Sequence, residues 1–398
     1  MEAAKSLATA QGDLQGEYAL SSRISTPLMV VRETALDWNI ELMAAYCRDH
    51  GVDLAPHAKT TMSPEIVRRQ LAAGAWGVTV ASVSQAIALG AQAGPRILIA
   101  NEVVDPAAIA WLNSTLSNAG PTVYCYVDSL EGAERLARGV TGGVLPVLLE
   151  VGLSQGRAGV RTREAGLEVA RRIAASPHLR LAGVGGFEGI LGGSTRDPAV
   201  DEDVRGFLRR IWSLAAELVD LGLCGQDGEV ILTAGGSVYF DLVAEELTRP
   251  LPGATTRVVL RSGCYVTHDH GAYAALTPFR DPHPAFRPAI EVISTVLSCP
   301  EPGLAICDVG KRDVPYDAGL PTALAVIPGG DGPRRSADGV ELVRLNDQHG
   351  FLSCSHDLQV GDVVIFGVSH PCTAFDKWRV VPIVDDALRI VELAHTRF

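Results

Sequence analysis

Leu232–Tyr239 reads L-T-A-G-G-S-V-Y. An apolar run, Glu229–Thr233, leads into two glycines and a serine, and Val238–Leu247 follows with apolar residues at helical spacing. The pattern is a strand, a tight turn and a helix. Gly235 and Gly236 let the backbone approach a ligand, the Ser237 hydroxyl can donate to it, and a helix N-terminus favours an anion. The same letters also fit a plain Gly-Gly turn with Ser237 as N-cap.

Outward from this unit the alternation repeats. Strand-like runs at Leu28–Val31, Val52–Pro56, Gly77–Val80, Arg96–Ala100, Thr122–Val127, Leu145–Val151, Leu181–Phe187, Glu229–Thr233 and Arg257–Leu260 are separated by helical segments such as Leu36–His50, Pro64–Ala73, Pro106–Asn118 and Val204–Leu221. Ser63-Pro64 and Asp105-Pro106 each place an N-cap residue before a proline at the first helical position. Roughly eight or nine β/α units in about 240 residues predict an α/β fold, a closed (β/α)8 TIM-type barrel rather than an open doubly wound sheet, with the open sheet as the alternative. After about residue 265 the helical period gives way to β-branched runs divided by proline and glycine, which predicts a mainly antiparallel β domain. The expected organisation is an N-terminal extension over 1–26, the barrel over 27–265 and the β-rich domain over 266–398.

The 398 residues are 47% hydrophobic, enough for a large core, and the net charge of −12 argues against nucleic acid, which is bound by neutralising phosphates with Lys and Arg. No apolar stretch reaches the roughly 18 residues of a membrane span, and Met1–Glu17 does not read as a secretory signal. A cytoplasmic protein with no membrane partner is expected. The eight cysteines show no framework spacing, so most are expected to be small buried hydrophobes.

Pro56–Thr60 reads P-H-A-K-T, which puts Lys59 at the C-terminal mouth of a barrel strand, where such barrels keep their chemistry. A neutral lysine amine there can attack a carbonyl, while a lysine at a strand end can equally be a snorkelling surface group. Arg261–Tyr265, R-S-G-C-Y, ends the last barrel strand, and Tyr265 is a candidate phosphate donor or else a wedge between the domains. Arg157, in the glycine-rich run Glu150–Val160, can reach a cofactor oxygen or sit in an exposed loop. Val368–Asp376, V-S-H-P-C-T-A-F-D, holds His370 and Cys372 on either side of a proline, so both side chains can face one way. Imidazole and thiolate suit zinc and leave positions open for water or substrate, although a lone H-x-C pair is often incidental. His349, His268 and His270 are weaker metal candidates.

In order along the chain, P-H-A-K-T at Pro56, I-L-I-A-N-E-V-V at Ile97, R-A-G-V at Arg157, F-E-G at Phe187, T-A-G-G-S at Thr233, R-S-G-C-Y at Arg261, D-V-G-K-R at Asp308, D-A-G-L-P at Asp317, N-D-Q-H-G at Asn346 and H-P-C at His370 resemble the D-serine dehydratase and D-threonine aldolase family, whose barrel is alanine racemase-like. The resemblance implies that Lys59 carries pyridoxal 5'-phosphate, that Gly235, Gly236, Ser237 and Tyr265 surround its phosphate, that Arg157 lies near its ring, and that His370 and Cys372 hold a divalent metal, zinc or else manganese. It also implies a homodimer and a small D-amino acid substrate. The chain departs from the family pattern at K-T-T-M (Lys59–Met62), at Phe187 and Ile190, and at Gln348-His349-Gly350. It reads as a divergent member.

These parts together suit a lyase acting on a β-hydroxy D-amino acid. Lys59 would take the Cα proton, and the metal would stabilise the departing hydroxide, giving a 2-oxo acid and ammonia. Retro-aldol cleavage to glycine and an aldehyde uses the same parts. Racemisation and cofactor binding without turnover are the remaining alternatives.

Overall fold

Eight strands run parallel around a ring: Asp53–Leu54, Val78–Val80, Arg96–Glu102, Thr122–Val127, Leu145–Val151, Leu179–Gly186, Glu229–Ala234 and Thr255–Leu260. The molecule is a computed structural model that describes Leu7 and residues 13–118, 120–193, 195–279, 284–355 and 358–398. The last strand pairs with the first, Asp53 opposite Val259 and Leu54 opposite Leu260. Between the first two strands, the Trp76 amide donates to the Leu54 carbonyl at 2.8 Å, the Thr79 amide donates to that of Pro56 at 3.0 Å, and His57 bridges Thr79. The sheet is thereby closed, as the repeat predicts.

Alternation along each strand sorts the side chains. Leu98, Tyr124, Tyr126, Leu148, Ala182, Ile231 and Val259 meet inside the barrel, whereas Ile97, Ile99, Val147 and Leu149 pack outward under the helices. The helices begin largely where the turn chemistry predicts. Asp105 caps Pro106–Ser117 by accepting from the amides of Ala107 and Ala108 at 2.9 and 3.0 Å. Ser63 does not cap Pro64–Ala72. Its hydroxyl donates instead to the Glu65 carboxylate at 2.9 Å.

The run expected to open the barrel, Leu28–Arg32, belongs to the other sheet. It pairs antiparallel with Ile290–Glu301 and parallel with Val380–Val384. All four of Leu28, Met29, Val30 and Val31 are buried, as in a central strand covered on both faces. An apolar run says that a strand is buried and not which sheet receives it. The rest of this ten-stranded sheet is antiparallel, and it includes three strands that periodicity did not mark, Arg335–Ser336, Gly350–Cys354 and Ile390–His395. One apolar core runs from Met29 through the barrel helices to Ala394, so the two layers share a core. At the surface of that junction Arg69 bonds Glu392, Glu33 and Asp37 at 2.9, 3.0 and 2.8 Å. Among the described residues no helix is long and apolar enough to cross a membrane.

Barrel closure leaves no room at some strand positions. A Cβ on Gly183 would stand 1.9 Å from the carbonyl oxygen of Ile231 on the paired strand. Gly183→Ala is therefore expected to lower the unfolding free energy by about 3 kcal/mol, read as a drop in urea midpoint at unchanged slope.

Candidate active site

Just past the closing seam the chain turns through Ala58–Thr60 and presents Lys59 to a cavity of about 250 Å³ at the C-terminal mouth of the barrel. Lys59 is exposed to that space, with no hydrogen bond or ion pair among the described residues. Gly263 allows the neighbouring loop to close on this turn, since a Cβ there would lie 2.7 Å from both the His57 carbonyl and the Thr60 hydroxyl. Beside Lys59, enclosure pushes the His57 imidazole well below its ordinary range, and the charges of Lys59, Arg261 and Arg157 push the same way. His57 is thus a neutral ring on the cavity wall, and its Nδ1 has no hydrogen-bond partner among the described residues.

Opposite the lysine, Gly235, Gly236 and Ser237 line the same cavity, directly after the strand Glu229–Ala234. Gly235 needs its glycine, with φ at +96°. The amides of the two glycines, however, are already engaged. Glu188, fully buried, accepts from the Gly235 amide at 3.0 Å and from the Gly236 amide at 2.8 Å. The carboxylate shows that this turn accommodates an anion, and it leaves the amides of Ser237 and Val238, ahead of the helix Phe240–Leu247, as the donors for a second one. The Ser237 hydroxyl accepts from the Cys264 amide at 3.1 Å, which ties this loop to the next.

Arg157 also faces the cavity, its guanidinium 4.9 Å from the Phe187 ring and 3.6 Å from the buried carboxylate of Glu150. Tyr265 does not. It turns into the core, where its hydroxyl accepts from the Gln70 amide nitrogen at 2.8 Å and its ring lies 5.8 Å from that of Phe286. Its predicted place on the phosphate is corrected to a wedge behind the barrel mouth. The short turn Cys264–Val266 directs neighbouring side chains to different sides, so the cavity receives Cys264 instead. Arg261 closes the floor of the cavity, buried, with bonds of 2.7 Å to the Thr233 hydroxyl and to the Gly186 carbonyl.

His370 and Cys372 stand at the rim. The Nδ1 of His370 is 2.7 Å from Asp317, whose other oxygen accepts from the Thr373 hydroxyl at 2.9 Å. Burial works to raise the Asp317 carboxyl, but these two bonds outweigh it and hold the group below its ordinary range. Cys372 lines the cavity with its sulfur 3.0 Å from that of Cys264. That contact pulls the Cys264 thiol down to about 7 and, with burial, pushes Cys372 well up, while the nearby Lys59 charge acts on Cys372 in the opposite direction. Tyr273 completes the wall, touching both sulfurs, with its ring 5.9 Å from the His370 ring. Burial pushes its hydroxyl far up, so it stays protonated. Among the described residues no three His, Cys, Asp or Glu side chains group so that they could hold a metal ion. His268 is buried, and His270 packs its ring against Gly367.

Two family models match parts of these two layers. "Alanine racemase, N-terminal domain" matches residues 31–221, and "Putative serine dehydratase domain" matches residues 289–384. Over both layers the chain is similar to the D-serine dehydratase and D-threonine aldolase family. Among its relatives, a D-threonine aldolase of Arthrobacter sp is 28% identical over 86% of this chain and 83% of its own, and a 3-hydroxy-D-aspartate aldolase of Paracoccus denitrificans is 28% identical over 83% and 80%. A D-threonine aldolase from Filomicrobium marinum superposes with a TM-score of 0.77 at 25% identity, covering 94% of this chain and 95% of that one. The D-threo-3-hydroxyaspartate dehydratase from Delftia sp. HT23 does so with 0.74 at 22%, over 96% and 99%.

The family's cofactor, pyridoxal phosphate, fits the residues present. A lysine faces the Gly-Gly-Ser turn across one cavity, with two arginines and a neutral imidazole whose Nδ1 lacks a partner among the described residues. Lys59 would hold the aldehyde end, Ser237 with the Val238 amide the phosphate, and Arg157 and Arg261 the ring substituents. The sequence motifs contained Glu188, Cys264, Arg261 and Asp317, but no spacing rule singled them out. F-E-G and D-A-G-L-P acquire their roles only through contacts far away in the chain.

One carboxylate near the mouth makes stability depend on pH. Burial, then the hydrogen bond and charge of Glu150, then Asp128, push the Glu102 carboxyl from its ordinary 4.5 up to about 8. A pKa raised on folding means that the folded state holds the proton more tightly, so this contribution is full below about pH 4.5 and fades as pH rises through about 8. Glu102→Gln should flatten that stretch of the stability–pH curve and gain on the wild type toward pH 8, as followed by thermal melting at successive pH values.

Proposed function

We propose that the protein dehydrates a β-hydroxy D-amino acid to a 2-oxo acid and ammonia, using pyridoxal phosphate on Lys59 and a divalent metal, zinc or manganese, on His370 and Cys372. The observation that carries this reading is that Cys372 opens onto the same cavity as Lys59, with His370 two residues before it. Two further structures of the hydroxyaspartate dehydratase support it. One is a cysteine-to-alanine mutant in the metal-free form, the other a histidine-to-alanine mutant, and the altered positions lie two apart in that chain, as His370 and Cys372 do here.

The cofactor, when bound, supplies an electron sink for negative charge at Cα. A divalent ion supplies Lewis-acid stabilisation to the leaving oxygen. The protein's own groups do the rest. Lys59 is the base positioned to take the Cα proton, since its amine lines the cavity and is unpaired among the described residues. Tyr273, held protonated beside Cys372, is placed to donate to the departing oxygen. Arg157 and Arg261 offer cationic partners to the substrate carboxylate or the ring. Asp317 fixes His370 by binding Nδ1, which leaves Nε2 as its metal-binding nitrogen.

Retro-aldol cleavage is the second reading, favoured by the aldolase names of the curated relatives. Product analysis separates the two. With D-serine, D-threonine and bulkier β-hydroxy D-amino acids, dehydration yields 2-oxo acid and ammonia, and glycine with an aldehyde as the sole products overturns it. Lys59→Ala is expected to lose the visible cofactor band and to cut turnover by about 10³-fold or more. A band that persists in that variant sinks the lysine assignment. Asp317→Asn should weaken metal binding by about 10- to 100-fold, measured by titration against a chromophoric chelator, while leaving the cofactor spectrum in place.

A further inference from the structure

The sulfurs of Cys264 and Cys372 approach to 3.0 Å across the junction of the two layers, 108 positions apart in the chain. Both are thiols, and both line the cavity at the barrel mouth, so a small oxidant reaches them by the substrate's own route. A disulfide bond is about 2.05 Å long, which leaves roughly 1 Å of sulfur movement to close it. Each cysteine sits in a short turn, Cys264–Val266 after the last barrel strand and Pro371–Thr373 after the strand Val363–Gly367, where a rotation of the side chain supplies such a shift without moving a strand. Cys224, Cys299 and Cys307 by contrast direct their sulfurs to the carbonyls of Leu181, Leu358 and Gly350.

We propose that Cys264 and Cys372 form a reversible redox pair that closes to a disulfide when hydrogen peroxide enters the cavity. One sulfur attacks a peroxide oxygen, the O–O bond breaks, and a sulfenic acid forms with loss of one water. The second sulfur then displaces the sulfenic oxygen as a second water, and the S–S bond forms. Two thiols and one peroxide thus give one disulfide and two waters, the sulfurs being oxidised and the peroxide reduced. A dithiol reverses the bridge by exchange. Closure removes the Cys372 sulfur from the metal position, a consequence that rests on the reading of Cys372 as a ligand, while the bridge itself does not.

The test uses the full-length protein stripped of metal by a chelator and treated with peroxide, then denatured, alkylated and digested. The expected result is one joined peptide pair linking Cys264 to Cys372, loss of two of the eight thiols, and recovery of both with dithiothreitol. Oxidation of Cys372 to a sulfinic acid with no joined peptide overturns the proposal, as does loss of thiols elsewhere while this pair stays reduced. Cys264→Ser should abolish the joined peptide. Where that variant does not fold, the wild-type peptide map decides. Zinc added at 100 times its Kd before peroxide should slow bridging about 100-fold. Bridging at an unchanged rate rejects Cys372 as a metal ligand and leaves the redox pair standing. Absence of a bridge under every condition rejects the pair, with zinc binding to judge the ligand reading separately.

Discussion

The barrel seam is the constraint on which the site depends. Its first strand is only two residues long, and backbone bonds hold the chain beyond it on both sides. The Ala55 amide donates to the Leu260 carbonyl at 2.8 Å, and the Thr79 amide donates to Pro56 at 3.0 Å. The Thr79 hydroxyl adds a bond to the Ala55 carbonyl at 2.7 Å. Lys59 follows within a turn, so its direction is set by ring closure and not by local propensity. The same seam brings Gly263 and Cys264 against His57 and Thr60. The lysine, the last barrel loop and the serine turn are parts of one closure.

The second layer completes that mouth. Its sheet takes in Leu28–Arg32 from the start of the chain, which locks the two layers together through a shared core. From its strand Val363–Gly367 the chain turns back over the barrel and delivers Cys372 beside Cys264. Cys372 and Lys59 thus come from different layers, and they share one cavity only because the layers pack. Glu188 works in the same manner within the barrel. It engages the amides of Gly235 and Gly236, the two glycines of the serine turn.

What the sequence determined by itself was the inventory and its rhythm. Alternating apolar runs and helical segments predicted the β/α repeat, because each unit must bury one face against a shared sheet, while closure of that sheet was left to the tertiary structure. P-H-A-K-T, T-A-G-G-S and H-P-C stood out as a series in this order, since each alone also fits a plain structural reading. Tertiary structure decided whatever rests on a side chain's direction or on a partner distant in the chain. It chose Cys264 over Tyr265 for the cavity, since a tight turn sends neighbours opposite ways and no periodicity survives there. It sent Leu28–Arg32 to the other sheet, because a buried strand's hydrophobicity is the same in either one. It also paired His370 with Asp317, across 53 positions that local pattern cannot span.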